Sequence, residues 1–136
     1  MDVDAILCDH AQTADGKLFI SGGGLMRYWV DPQPPYMVAL GIGAVAQVPY
    51  TATGQAHIFT VALFDEDGHP VVPFGAEDTA EVGGVEASVP FELGRPPGLS
   101  HGEAQPYCLA VNFTIALREL GGYAFEIKID DPRSRT

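Results

Sequence analysis

Strict alternation of apolar and polar positions dominates the last third of the chain. Leu109, Val111, Phe113, Ile115 and Leu117 alternate with Ala110, Asn112, Thr114 and Ala116. After Gly121-Gly122, Tyr123, Phe125, Ile127 and Ile129 alternate with Ala124, Glu126, Lys128 and Asp130. A period of two puts successive side chains on opposite faces, so both runs predict half-buried antiparallel strands joined by a short glycine-containing connection. "VEASVPFEL" repeats the pattern with Val85, Ala87, Val89, Phe91 and Leu93 inward. Its Pro90, which has no ladder donor, predicts an edge strand.

The earlier segments are less one-sided. In "AHIFTVALFDEDGHP", Phe59, Val61 and Leu63 share one face, Ile58, Thr60, Ala62 and Phe64 the other, and Asp67-Gly68 supplies a tight turn. In "YMVALGIGAVAQV", Val38, Leu40 and Ile42 oppose Met37, Ala39, Gly41, Gly43 and Val45. A first strand over about Val3 to His10 turns through "TADGK" into "LFISGG". Turn signals recur about every ten residues, which predicts an all-β, two-sheet antiparallel β-sandwich of about eight strands. "PFGAEDTAEVGG" and "GRPPGLSHGEAQP" read as irregular segments between strands. No internal repeat is present, and 136 residues suit one domain.

Charge narrows the function classes. Seven Lys and Arg stand against 18 Asp and Glu, a net charge of -11. Phosphate recognition rests on clustered cations, so nucleic acid and anionic membrane are not expected partners. The longest apolar run, Tyr36 to Val48, is too short to span a bilayer. The start "MDVDAILCDHAQ" lacks a basic n-region, so the expected location is cytoplasmic, with Cys8 and Cys108 as free thiols.

Candidate chemistry is sparse. Gly22-Gly23-Gly24 would make a phosphate loop only if a helix followed; Leu25 to Val30 read as strand instead. A bulge or the close approach of another backbone is the expected reason for the triplet. The four histidines show no zinc spacing, no serine has a nucleophile-elbow context, and nothing beside Cys8 and His10 suggests activation. The chain is therefore expected not to be an enzyme and to need no cofactor. End-loop carboxylates could gather oxygens around calcium, with Asp65, Asp67 and Asp130 as candidate ligands.

Recognition surfaces are the better candidates. Tyr28 and Trp29 precede "DPQPP", and exposed aromatics are typical of partner surfaces. The small-residue face of Ala39, Gly41 and Gly43 could admit another sheet or subunit closely, and Arg95 could anchor an acidic loop or meet a partner.

At "DAILCDHAQTADGKLFISGGG", "DEDG", "GRPPG" and "LAVNFTIALRELGGYAFEIKID", the chain resembles a family of short bacterial proteins of unknown function, over almost its full length. The resemblance implies an all-β sandwich and carries over no activity, ligand or catalytic residue. The final Gly-x-Tyr-x-Phe pattern is also similar to the last hairpin of immunoglobulin-like modules, a likeness of fold only. The expectation is thus an interaction module that binds a protein partner or assembles as a homo-oligomer. The alternative is a calcium-dependent or carbohydrate-binding module using end-loop carboxylates and aromatics.

Overall fold

The computed structural model describes residues 1–74, 84–95 and 97–130. Those residues form eight strands: β1 (Asp2–Cys8), β2 (His10–Ala14), β3 (Lys17–Ser21), β4 (Tyr36–Pro49), β5 (Ala56–Asp65), β6 (Glu86–Glu92), β7 (Ala104–Leu117) and β8 (Tyr123–Ile129). Their helical content is one 3-10 turn, Tyr50–Ala52, and no described helix is long and apolar enough to cross a membrane. The all-β antiparallel class expected from alternation is the class observed.

The strands group into three sheets, β1-β4-β7, β2-β3 and β6-β5-β8, where two sheets were expected. The additional sheet arises at Asp9. β1 pairs with β4 from Asp2↔Gln47 to Cys8↔Gly41 and then leaves it. The Asp9 N–H turns to the carbonyls of Ser21 (3.0 Å) and Gly22 (3.3 Å). The expected strand to His10 therefore divides in two, and its continuation pairs with β3 as a hairpin closing at Ala14↔Lys17. Asp15 (φ 52°) and Gly16 (φ 71°) make that two-residue turn, both with the positive φ that matches the twist of the flanking strands.

The chain divides into two compact units. The first comprises Met1–Arg27, Leu40–His57 and Pro90–Phe113; the second comprises Tyr28–Ala39, Ile58–Val89 and Thr114–Thr136. Each has its own buried residues. The first encloses Cys8, Ala11, Ile42, Ala44, Ala46, Val48, Phe91, Leu109 and Val111. The second encloses Val38, Phe59, Val61, Leu63, Val71, Ile115 and Leu117. The expected inward face of β5 is thus buried, and each large apolar side chain there contributes on the order of 1.5–3 kcal/mol. The register Phe59↔Ile129 to Asp65↔Tyr123 aligns β8 on β5, and β6 is the other edge of that sheet. "PFGAEDTAEVGG" lies mostly outside the described residues, as does Pro96 of "GRPPG".

Candidate functional site

The glycine triplet turns the chain back onto β1. Gly24 N–H (2.9 Å) and Leu25 N–H (3.1 Å) both donate to the Leu7 carbonyl. Gly22 and Gly24 have positive φ (66° and 86°), and a Cβ on Gly22 would collide with the Asp9 carboxylate. A Cβ on Gly23 would lie 3.2 Å from Ile6 and 3.3 Å from Ile20. Backbone conformation accounts for two of the glycines and close packing for the third. No helix follows them.

Gly41 and Gly43 were expected to admit another sheet or a subunit closely, and it is another sheet of the same chain that comes close. Both are buried in the first unit, and what approaches them is the chain itself. Ile20 and Leu18 of β3 occupy the space above Gly43, where a Cβ would lie 2.9 and 3.3 Å from their methyl groups. Over Gly41 lie the Asn112 amide, the Ala11 backbone and the Cys8 thiol. The glycines are small so that the β2-β3 hairpin and the Asn112 side chain can sit down on β4.

Arg95 is held by its own chain. Its Nε donates to Thr53 Oγ1 (3.0 Å), its Nη1 to the Tyr50 hydroxyl (3.1 Å) and its Nη2 to the Tyr50 carbonyl (3.4 Å). The guanidinium also lies 4.0 Å from the Tyr50 ring centroid, while the His101 ring stacks 4.1 Å from the same centroid. Tyr50 is thus held between contacts from Arg95 and a tilted His101 ring. Arg95, expected to anchor an acidic loop or to meet a partner, is fixed to the Tyr50–Thr53 turn of its own chain.

Tyr28, Trp29 and Ala39 belong to the second unit and are exposed. Trp29 is 84 % accessible, Tyr28 41 % and Met37 51 %. The Tyr28 hydroxyl accepts the Ala39 N–H at 3.2 Å. That bond brings the phenol to β4 beyond the last β1 pair, at Gly41, where the strand leaves this amide to a side chain. Ala39 and Met37 are two apart on β4 and share a face. Tyr28, Trp29 and Met37 are each exposed, and the Tyr28 hydroxyl bond brings its phenol to the opening of β4. Met37 was not singled out by sequence, although its place opposite Val38 in the alternation could have exposed it.

The calcium ligands do not converge as expected. Asp65 and Asp67 meet His69, their ligand atoms lying within 4.8 Å of one another. The Asp65 Oδ1 already accepts the N–H groups of Asp67 (2.9 Å) and His69 (2.9 Å), an arrangement that fixes the turn. Asp130 stands at the other end of β5, where its Oδ1 accepts the Ile58 N–H at 3.0 Å and its φ is 58°. Ile58 and Asp65 lie seven residue steps apart on β5, about 23 Å at the usual rise per residue. Asp130 therefore closes the end of β8 and shares no ion with Asp65 and Asp67.

Groups that catalysis might have used have structural work. Cys8 is buried, and desolvation, followed by the adjacent Asp9 charge, raises its thiol pKa from the ordinary 9.0. That keeps the sulfur protonated and weakly nucleophilic. His57 is buried, with Nε2 2.7 Å from the Ala52 carbonyl and its ring against Phe91, which in turn stacks on Tyr107.

A model described as "Family of unknown function (DUF6941)" matches residues 3–136. No curated protein and no solved structure matches the chain.

Proposed function

Since the chain belongs to that family of unknown function, we propose its role from its own geometry: a non-enzymatic interaction module whose contact surface is built on Tyr28, Trp29, Met37 and Ala39. The observation that carries this reading is the exposure of Trp29, the one tryptophan of the chain, beside a tyrosine pinned to strand backbone. Tryptophan and tyrosine are the residues most enriched among binding hot spots, because they bring large apolar area at little conformational cost. A rigid tyrosine next to a solvated tryptophan is an anchor already in place.

The expected result is that Trp29→Ala, with an unchanged thermal midpoint, loses the partner or dimer fraction recovered with the parent chain. Equal recovery by both would contradict the reading. An end-loop module that binds calcium is a second proposal, supported by the approach of Asp65, Asp67 and His69. Calorimetry with calcium decides it, and a flat titration removes it.

A further inference from the structure

The cluster around Tyr50 ends with donors to spare. Arg95 carries five N–H groups, and three of them go to Thr53 Oγ1, the Tyr50 hydroxyl and the Tyr50 carbonyl. Two remain, on an exposed residue. The Tyr50 hydroxyl accepts from Nη1 at 3.1 Å, so its own hydrogen points elsewhere, and it meets no acceptor among the described residues. Three spare hydrogens thus sit on neighbouring atoms of one guanidinium and one phenol.

No carboxylate neutralises the group. Among the described residues Arg95 makes no ion pair. Glu103 comes near through its backbone, its carbonyl accepting the Tyr50 N–H at 3.1 Å. Its own carboxylate turns to the Ser100 N–H, 3.4 Å from Oε2.

We propose that Arg95 and Tyr50 form a binding site for an oxyanion, the carboxylate or phosphate group of a small molecule. The site belongs to the first unit and goes beyond the contact surface proposed in the second. Its strength is that it is already assembled. An arginine loose in solvent gives up side-chain freedom when it binds, whereas this one is held by three hydrogen bonds and by the Tyr50 ring 4.0 Å away. The platform is held as well. The Tyr50 carbonyl accepts the Thr53 N–H (3.2 Å) and the Thr53 hydroxyl (2.6 Å), and the Gly54 N–H donates to the Leu93 carbonyl (2.8 Å). Bonds from a guanidinium to a charged oxygen are shorter and stronger than neutral ones, and a fixed fork adds geometric selection.

The test is a nitrogen–proton correlation spectrum of the full chain, with the Arg95 Nε–H and the Gly54 amide as reporters. Sodium acetate and inorganic phosphate are titrated separately at constant pH, each with sodium chloride holding the ionic strength. The expected result is a saturating shift of both reporters, with half-saturation on the order of millimolar for the oxyanion that fits. The arm that saturates at lower concentration identifies carboxylate or phosphate. Arg95→Lys keeps the charge without the fork and should weaken binding about tenfold, read at Gly54. Tyr50→Phe removes one donor, keeps the ring and the turn carbonyl, and should weaken binding severalfold with the Gly54 amide still at its folded position.

No saturating shift with either oxyanion would overturn the inference, as would an equal shift at the Arg27 Nε–H. Parent affinity in both Arg95→Lys and Tyr50→Phe would also overturn it, by making charge alone sufficient. None of these outcomes touches the Trp29 reading, so the two fail separately.

Discussion

The side-chain amide of Asn112 closes a two-point bond on the backbone of Ala11. Its Oδ1 accepts the Ala11 N–H at 3.0 Å, and its Nδ2 donates to the Ala11 carbonyl at 2.8 Å. A side chain on β7 thereby does for β2 what a neighbouring strand would have done. It crosses above Gly41, the one residue type that leaves the amide room. Ala11 is buried, so an unpaired N–H and C=O there would be costly.

Asn112→Ala should therefore destabilise the protein by about 1–3 kcal/mol, the range for stranding buried polar groups. Gly41→Ala should cost a similar amount, because its Cβ would displace the amide. The two costs should not add: once Asn112 is alanine, the added methyl displaces no amide. Denaturant titrations of the two single variants and the double variant measure this, with an expected coupling of at least about 0.5 kcal/mol. Simple additivity would refute the account of Gly41.

Cys8 should react slowly in the native state. Burial and the Asp9 charge keep its thiol protonated, whereas Cys108 is only partly buried. Alkylation near neutral pH, read by peptide mass spectrometry, should label Cys108 first and Cys8 at the rate of unfolding. Equal labelling would contradict the burial of Cys8.

Tyr123 gives a pH dependence of defined sign. Its folded pKa is raised above the ordinary 10.0, so the folded state holds the phenol proton more tightly than the unfolded chain does. Below pH 10 that contribution to stability is fully present; it is lost as pH rises from about 10 through the raised value. Tyr123→Phe should remove this component of the alkaline decline in thermal midpoint, and an unchanged decline would argue against it.

Arg95 should behave as a clasp. Arg95→Lys keeps the charge but loses the fork that reaches Thr53 Oγ1, the Tyr50 carbonyl and the Tyr50 hydroxyl together. A loss of about 1 kcal/mol is expected, with Arg95→Ala no better. If Arg95→Lys matches the parent in denaturant, the forked contacts contribute nothing.

Period-two alternation made the strands legible because burial on one face of β5 and β7 writes itself into every second residue. Asp-Gly at residues 15–16 and 67–68 marked turns for an equally local reason, the positive φ at Gly16 and Gly68. The separate β2-β3 sheet was not legible. Asp9 and His10 continue the alternation of β1, and what diverts them is a bond from Asn112, 101 positions away from Ala11. The small residues of β4 signalled close packing correctly, but composition does not say whose atoms come close. Ile20 and Asn112 supply them at Gly43 and Gly41, and no local pattern names those partners. Exposed Tyr28 and Trp29 were legible as candidates because they precede a proline-rich turn.

The contact role of Trp29 is tested most directly by photo-crosslinking in the native host, with a photoreactive phenylalanine at position 29 and a control at the exposed Thr13. A discrete covalent adduct with another protein from position 29, and none from position 13, is the predicted result. Illumination that yields no adduct from position 29, or the same adducts from both positions, would contradict it.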